Sequence, residues 1–199
     1  MNFVLASGSP RRLELLQQIG LQPEIKVSSF TEIMSEAAPE AVVKINALGK
    51  GKEVAATCNW HDVIIAADTI VVKDQEILGK PKNEKAAQDM LLKFSGGQHQ
   101  VLTGLAVYYQ GQCRSAVTTT VVEFYPLSRA LIESYVTTGE PLDKAGSYGI
   151  QGKGSVLVKA IKGSYSNVVG LPLGTLYEIL LEMGVITDGE IFNQGLNPR

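Results

Sequence analysis

The run Val63-Ile64-Ile65-Ala66-Ala67-Asp68-Thr69-Ile70-Val71-Val72 constrains the fold more than any other stretch of this chain. It is apolar at successive positions, so both faces of a strand built from it need cover, which places that strand inside a sheet flanked by helices. An α/β architecture follows. Asp68 interrupts the run. A carboxylate in a doubly covered strand is costly to bury unless it is paired, hydrogen-bonded or bound to a metal. Either a structural salt bridge satisfies it or it faces a cleft that cuts across the sheet. Thr69 beside it and the cations of flanking segments favour the cleft.

The N-terminus carries a second constraint. Phe3-Val4-Leu5-Ala6 is a short apolar run that passes through Ser7-Gly8-Ser9 into a helix start, with Ser9 at the N-cap and Pro10 at the first helical position. Leu13, Leu16 and Ile19 continue at helical spacing to Gly20. Arg11 and Arg12 therefore fall in the first turn, where the helix dipole disfavours a cation by about 0.3–1 kcal/mol unless an anion sits there. A phosphate is the simplest such anion, and Ser7, Gly8 and Ser9 supply donors and close backbone approach. Two solvated arginines on an exposed helix end are the alternative.

Elsewhere the pattern alternates helix and strand. Glu24 to Ser28 reads as a strand, followed by a polar loop through Glu32 to Pro39. A helix then carries Val42, Val43, Ala47 and Leu48 on its apolar side, its end weakened by Gly49 and Gly51, with Lys50 and Lys52 either exposed or aimed into a cleft. Lys80 precedes a proline and is held extended. Asn83 caps a helix through Phe94, stopped by Ser95-Gly96-Gly97. Gln98 to Tyr109 and Cys113 to Phe124 form a hairpin, with His99 as a structural hydrogen-bonding residue. Ser128 caps a further helix. From Gly139 to Pro172 the chain is rich in glycine and polar residues: Glu140 to Gly152 reads as a long loop of the kind that carries function, Val156 to Ile161 returns as a strand, and Gly163 to Asn167 is a second polar loop. A closing helix runs from Leu173 to Met183, and the tail from Thr187 to Arg199 reads as loosely attached.

At 199 residues the chain suits one domain over residues 1–199, built as two lobes around a cleft. A net charge of -2 gives no general affinity for nucleic acid or acidic membranes, so any anion site is local. Cys58 and Cys113 lie far apart with only His61 and His99 as other soft ligands, which points to buried free thiols and no zinc site. No apolar stretch reaches membrane-spanning length and no secretory leader is visible, so the expected compartment is the cytoplasm.

Six stretches together resemble the Maf family of nucleotide pyrophosphatases. They are Ser7-Gly8-Ser9-Pro10-Arg11-Arg12; Ala66-Ala67-Asp68-Thr69-Ile70-Val71; Gly79-Lys80-Pro81; Ser95-Gly96 with His99-Gln100-Val101 and Thr103-Gly104; Gly139-Glu140-Pro141 with Asp143 to Gly152; and Asn167-Val168-Val169-Gly170-Leu171-Pro172. They span nearly the whole chain in family order. The resemblance implies a long mixed β-sheet flanked by helices, two lobes around a cleft, similar to the inosine triphosphate pyrophosphatase fold. It implies hydrolysis of nucleoside triphosphates to the monophosphate and pyrophosphate with a divalent cation, Mg²⁺ or Mn²⁺, and a homodimer. Arg11, Thr69 and Gln151 match the branch acting on dTTP and UTP rather than the one acting on 7-methyl-GTP. One departure stands out: Ala47-Leu48-Gly49-Lys50-Gly51 replaces the family's Ala-x-x-Lys-Ala, which implies a looser helix around the lysine.

The chemistry of phosphate hydrolysis and the resemblance together suggest roles. Attack of water on the α-phosphorus of a triphosphate requires charge neutralisation and a positioned nucleophile. Ser7, Ser9, Arg11, Arg12, Lys50 and Lys80 would cradle phosphates, and Glu32 with Asp68 would hold the metal. By resemblance to the family's proposed base, Asp68 would also take the proton, and Thr69 with Gln151, which the resemblance ties to base selection, would hydrogen-bond the base edge. Competing readings are a pyrophosphatase for another modified nucleotide and a nucleotide-binding regulator of cell division.

Overall fold

The computed structural model describes residues 1–34 and 38–189. Its strands are β1 (Phe3–Leu5), β2 (Glu24–Ile25), β3 (Val63–Lys73), β4 (Glu76–Leu78), β5 (Gln98–Tyr109), β6 (Gln112–Phe124) and β7 (Val158–Lys162). Its helices are α1 (Pro10–Gln18), α2 (Pro39–Ala55), α3 (Glu84–Phe94), α4 (Arg129–Val136), α5 (Tyr165–Val169) and α6 (Leu173–Glu182). The strands form a mixed seven-stranded sheet in the order β2-β1-β3-β5-β6-β7, with β4 paired to β3. β1 runs parallel to both neighbours, Leu5 lying opposite Ile25 and Ile65, whereas the β3/β4 and β6/β7 pairs are antiparallel. As its apolar run requires, β3 is interior to the sheet and buried from Val63 through Asp68. Among the described residues no helix is long and apolar enough to cross a membrane.

The residues cluster into two compact units, one taking Met1–Asp68, Thr103–Thr118 and the chain from Gly170 on, the other Thr69–Leu102 and Thr119–Val169. In the first unit Val4, Ala6, Val54, Ile64 and Ala66 form a core against which Tyr108 packs. The sequence pattern suggests a helix loosened at Gly49 and Gly51, yet α2 continues unbroken to Ala55. These glycines serve close approach. A Cβ at Gly49 would lie 2.3 Å from the Phe30 ring, and one at Gly51 2.6 Å from Tyr108, whose hydroxyl donates to the Leu48 carbonyl at 2.8 Å. Packing of two rings thus offsets the roughly 1 kcal/mol that each helical glycine costs. Similarly, a Cβ at Gly104 would fall 2.2 Å from the Val43 carbonyl oxygen, so β5 can lie directly on α2 only with glycine there. Strand β2 is shorter than the stretch from Glu24 to Ser28, because from Ser28 on the chain bonds to Glu53 on α2 instead of to β1.

In the second unit the expected caps form, Asn83 Oδ1 accepting from the Ala86 N–H and Ser128 Oγ from the Leu131 N–H. Two local expectations give way. Residues 153–157 coil into a 3₁₀ turn before β7 begins at Val158. The stretch read as a polar loop becomes α5, because Ser164 Oγ accepts from the Asn167 N–H and caps it. Phe94, Phe124, Tyr148 and His99 interlock in the core, His99 stacking on Phe94 with centroids 4.2 Å apart and Phe124 meeting Tyr148 edge-on at 4.8 Å. Cys58 and Cys113 are free and half-buried. Of the tail, Asp188 accepts from the Tyr177 hydroxyl, whose oxygen accepts from the Gly189 N–H, while residues 190–199 lie outside the described ones.

His99 bonds through Nε2 to the Tyr148 hydroxyl at 2.8 Å, as its structural reading requires. Burial, aided by the Lys73 charge, pushes its imidazole down to about 3, so the folded protein holds it neutral. The unfolded chain takes up that proton near pH 6.5, so His99 costs stability as pH falls below 6.5 towards 3, and costs nothing above. Urea unfolding at pH 7.5 and pH 5 should therefore show a steeper loss in the native protein than in His99→Gln; equal slopes would contradict a buried neutral imidazole.

Candidate active site

Helix α2 builds the site through one stripe of its surface. Asn46, Lys50 and Glu53 are spaced four and three residues apart, so their side chains project from the same face. Lys50 Nζ donates to Asp68 Oδ1 at 2.7 Å and to Glu32 Oε1 at 2.5 Å. Asn46 Nδ2 donates to the other Asp68 oxygen at 2.9 Å. Asp68 is 5% exposed, and both of its oxygens are thereby occupied. It is thus salt-bridged as well as buried in the middle of β3, as the salt-bridge reading of this residue requires. The side chain of Glu32 is 53% exposed, so its carboxylate meets both the lysine and solvent. Lys52 points outward and is exposed.

Residues 26–34, which bear Glu32, have no regular structure and are held from α2. Asn46 Oδ1 accepts from the Ile33 N–H at 2.8 Å while its Nδ2 donates to the Ile33 carbonyl at 3.1 Å. Glu53 accepts from the Phe30 N–H and from the hydroxyls of Ser28 and Ser29. These hydroxyl and amide donors hold its carboxyl below the usual carboxylate range. Sequence reasoning missed Asn46 and Glu53. The signal for Asn46 was there: a lone amide within the stripe Val42, Val43, Ala47, one helical turn before Lys50.

Helix α1 arrives as expected, Ser9 extended at the N-cap with Pro10 following, but Ser9 makes no side-chain cap. Ser7 Oγ does the local work, accepting from the Ser9 N–H at 3.2 Å and from Arg12 Nη1 at 3.0 Å. Arg12 Nε donates to the Gly170 carbonyl at 2.8 Å, fastening the first turn of α1 to the residues that lead into α6. Burial draws its guanidinium below the usual value, and the carboxylates of Asp68 and Glu32 pull the other way. Arg11 is half-buried in the same turn. The structure therefore assembles Ser7, Arg12, Glu32, Lys50 and Asp68 in the first unit, with Asn46 and Glu53 as supports.

Three expected residues belong to the second unit. Thr69 follows Asp68 on β3 and is half-buried; Lys80 is exposed beyond β4, next to the buried Pro81; Gln151 is exposed in the turn before the 3₁₀ segment. Among the described residues no group of three acidic, histidine or cysteine side chains gathers as a metal site. The carboxylates of Glu32 and Asp68 nevertheless converge on one ammonium, so this oxygen donor set accommodates a cation.

The family model described as Maf-like protein matches residues 2–183. The dTTP/UTP pyrophosphatase of Vibrio cholerae serotype O1 is 52% identical over 172 residues, covering 86% of this chain and 92% of that protein. The dTTP/UTP pyrophosphatase of Halalkalibacterium halodurans is 47% identical over 186 residues, covering 93% and 97%. Among solved structures, a HAM1 protein from Coxiella burnetii is similar with a TM-score of 0.49 and 16% identity, over 92% of this chain and 99% of that one. With a family model spanning nearly the whole chain and such relatives matched end to end, this chain belongs to the Maf family.

Proposed function

We propose that this chain hydrolyses dTTP and UTP to the monophosphate and pyrophosphate. The observation that carries the reading is the buried Asp68 carboxylate, held on both oxygens by Asn46 and Lys50 beside Glu32, in a chain whose relatives bear that activity in their names. Water attacks the α-phosphorus, its oxygen forming the new P–O bond as the bond to the bridging oxygen breaks and pyrophosphate leaves. Asp68 takes the water's proton. Two fixed hydrogen bonds orient that carboxylate before substrate arrives, so little reorganisation remains in the transition state. Arg11, Arg12, Lys50 and Lys80, with the Ser7 and Ser9 hydroxyls, balance and orient the phosphates. Thr69 and Gln151 bond the pyrimidine edge, where an amide can donate to the 4-oxo group and accept from the ring N–H.

Glu32 and Asp68 would hold a Mg²⁺ or Mn²⁺ ion, since their oxygens already meet around one cation and such ions prefer carboxylate, phosphate and water ligands. When bound, the ion supplies charge neutralisation on the phosphates and a lowered pKa for its water. The enzyme acts in the cytoplasm, where its substrates are made and used.

Pyrophosphate release from a panel of normal and modified nucleoside triphosphates should favour dTTP and UTP about tenfold or more over dATP, GTP, CTP and 7-methyl-GTP, and a chelator should stop it. Asp68→Asn should lose about 10²–10⁴-fold in kcat in a protein that still folds; near-native turnover would remove its assigned role. Asn46→Leu strands the Ile33 N–H and carbonyl and one oxygen of Asp68. It should cost about 2–3 kcal/mol in urea unfolding and reduce turnover as well.

A further inference from the structure

We infer that Glu140, acting with Tyr135, is a positioning residue for base selection, holding in one shape the turn that presents Gln151. The inference rests on the reading of Gln151 as a base-contacting residue and extends it to two side chains that touch no substrate.

The turn is gripped on both sides of Gln151 by one carboxylate and one phenol. Glu140 Oε2 accepts from the Lys153 N–H at 2.9 Å and Oε1 from the Gly154 N–H at 3.1 Å. The Tyr135 hydroxyl donates to Oε1 at 2.9 Å and accepts from the Gly149 N–H at 3.0 Å. Main-chain amides two residues before Gln151, and two and three after it, thus end on the same pair of groups. Tyr135 comes from the buried face of α4, so the anchor belongs to the core of the second unit. Lys144 Nζ donates to the Glu140 carbonyl at 2.7 Å and holds the carboxylate's own backbone.

The glycines of the turn make room for this grip. A Cβ at Gly152 would lie 2.5 Å from Glu140 Oε2, and one at Gly154 2.6 Å from the Tyr135 hydroxyl. A Cβ at Gly149 would lie 2.8 Å from the Lys144 side chain. The main chain closes on the carboxylate only because these positions lack side chains. Gln151 itself is exposed between these held positions. Burial works to raise the Glu140 carboxyl, but the Lys153 and Gly154 amides, the Tyr135 hydroxyl and the Lys144 ammonium bring it below the usual carboxylate range. The ionised form is the one that accepts every bond in the grip.

Discrimination between uracil and cytosine by a single amide depends on holding that amide in place, because a turn free to shift can pair with either edge. Glu140→Gln keeps the shape but turns an NH₂ against main-chain N–H groups, and Tyr135→Phe removes one hydroxyl alone. The readout is the ratio of kcat/KM for UTP over CTP in the full chain, with Gln151→Ala as reference. Both substitutions should lower that ratio about tenfold, chiefly through a raised KM for UTP, and Glu140→Gln should lower it no further in the Gln151→Ala background. A brace serving stability alone would lower the unfolding midpoint and leave the ratio unchanged. If Gln151→Ala collapses the ratio while Tyr135→Phe and a folded Glu140→Gln retain it, the positioning role is overturned and the base reading stands. If Gln151→Ala itself retains the ratio, the base reading fails and the positioning role falls with it. Should Glu140→Gln not fold, Tyr135→Phe decides.

Discussion

The Lys50 ammonium is the charge around which the first unit's polar groups are arranged. Asp68 lies in the interior of β3, where an unpaired carboxylate would be several kcal/mol out of balance, and Lys50 with Asn46 satisfies both of its oxygens. The same ammonium reaches Glu32, and the same Asn46 holds the backbone next to Glu32, so a loop without regular structure inherits its position from a helix. Removing one partner would leave a buried charge behind, which is why this cluster acts as a unit.

The second unit uses a different device. Its core is an interlocked set of rings in which a neutral imidazole behaves as one more aromatic, and from that core a tyrosine hydroxyl reaches out to fix a glycine-rich turn. Rigid packing ends one residue away from an exposed glutamine. In both units, groups that would meet substrate are placed by side chains that would not: Asn46 and Glu53 in one, Tyr135 and Glu140 in the other.

Much of the fold was legible in the sequence because its signals are local. The apolar run of β3, the helix caps at Asn83 and Ser128, the Gln110-Gly111 turn and the stop at Gly20 each depend on neighbours within a few residues. The misreadings share one cause. Gly49 and Gly51 look like helix breakers unless one knows that Phe30 and Tyr108 lie against them, and Glu24 to Ser28 looks like a full strand unless one knows that Glu53 captures its end.

The residue types of the site, a carboxylate inside an apolar strand and arginines in a first helical turn, were determined by the sequence, because burial cost and the helix dipole act on any chain with that pattern. Only the tertiary structure decided which lysine of Lys50 and Lys52 faces Asp68, since neighbouring helical positions point in different directions and α2 must first be seated on β5 at Gly104. It also decided that Arg12 is tethered to Gly170, 158 residues away, and that Glu140 closes on Gly154. Those pairings depend on where distant segments meet, and that is settled by packing rather than by any local preference.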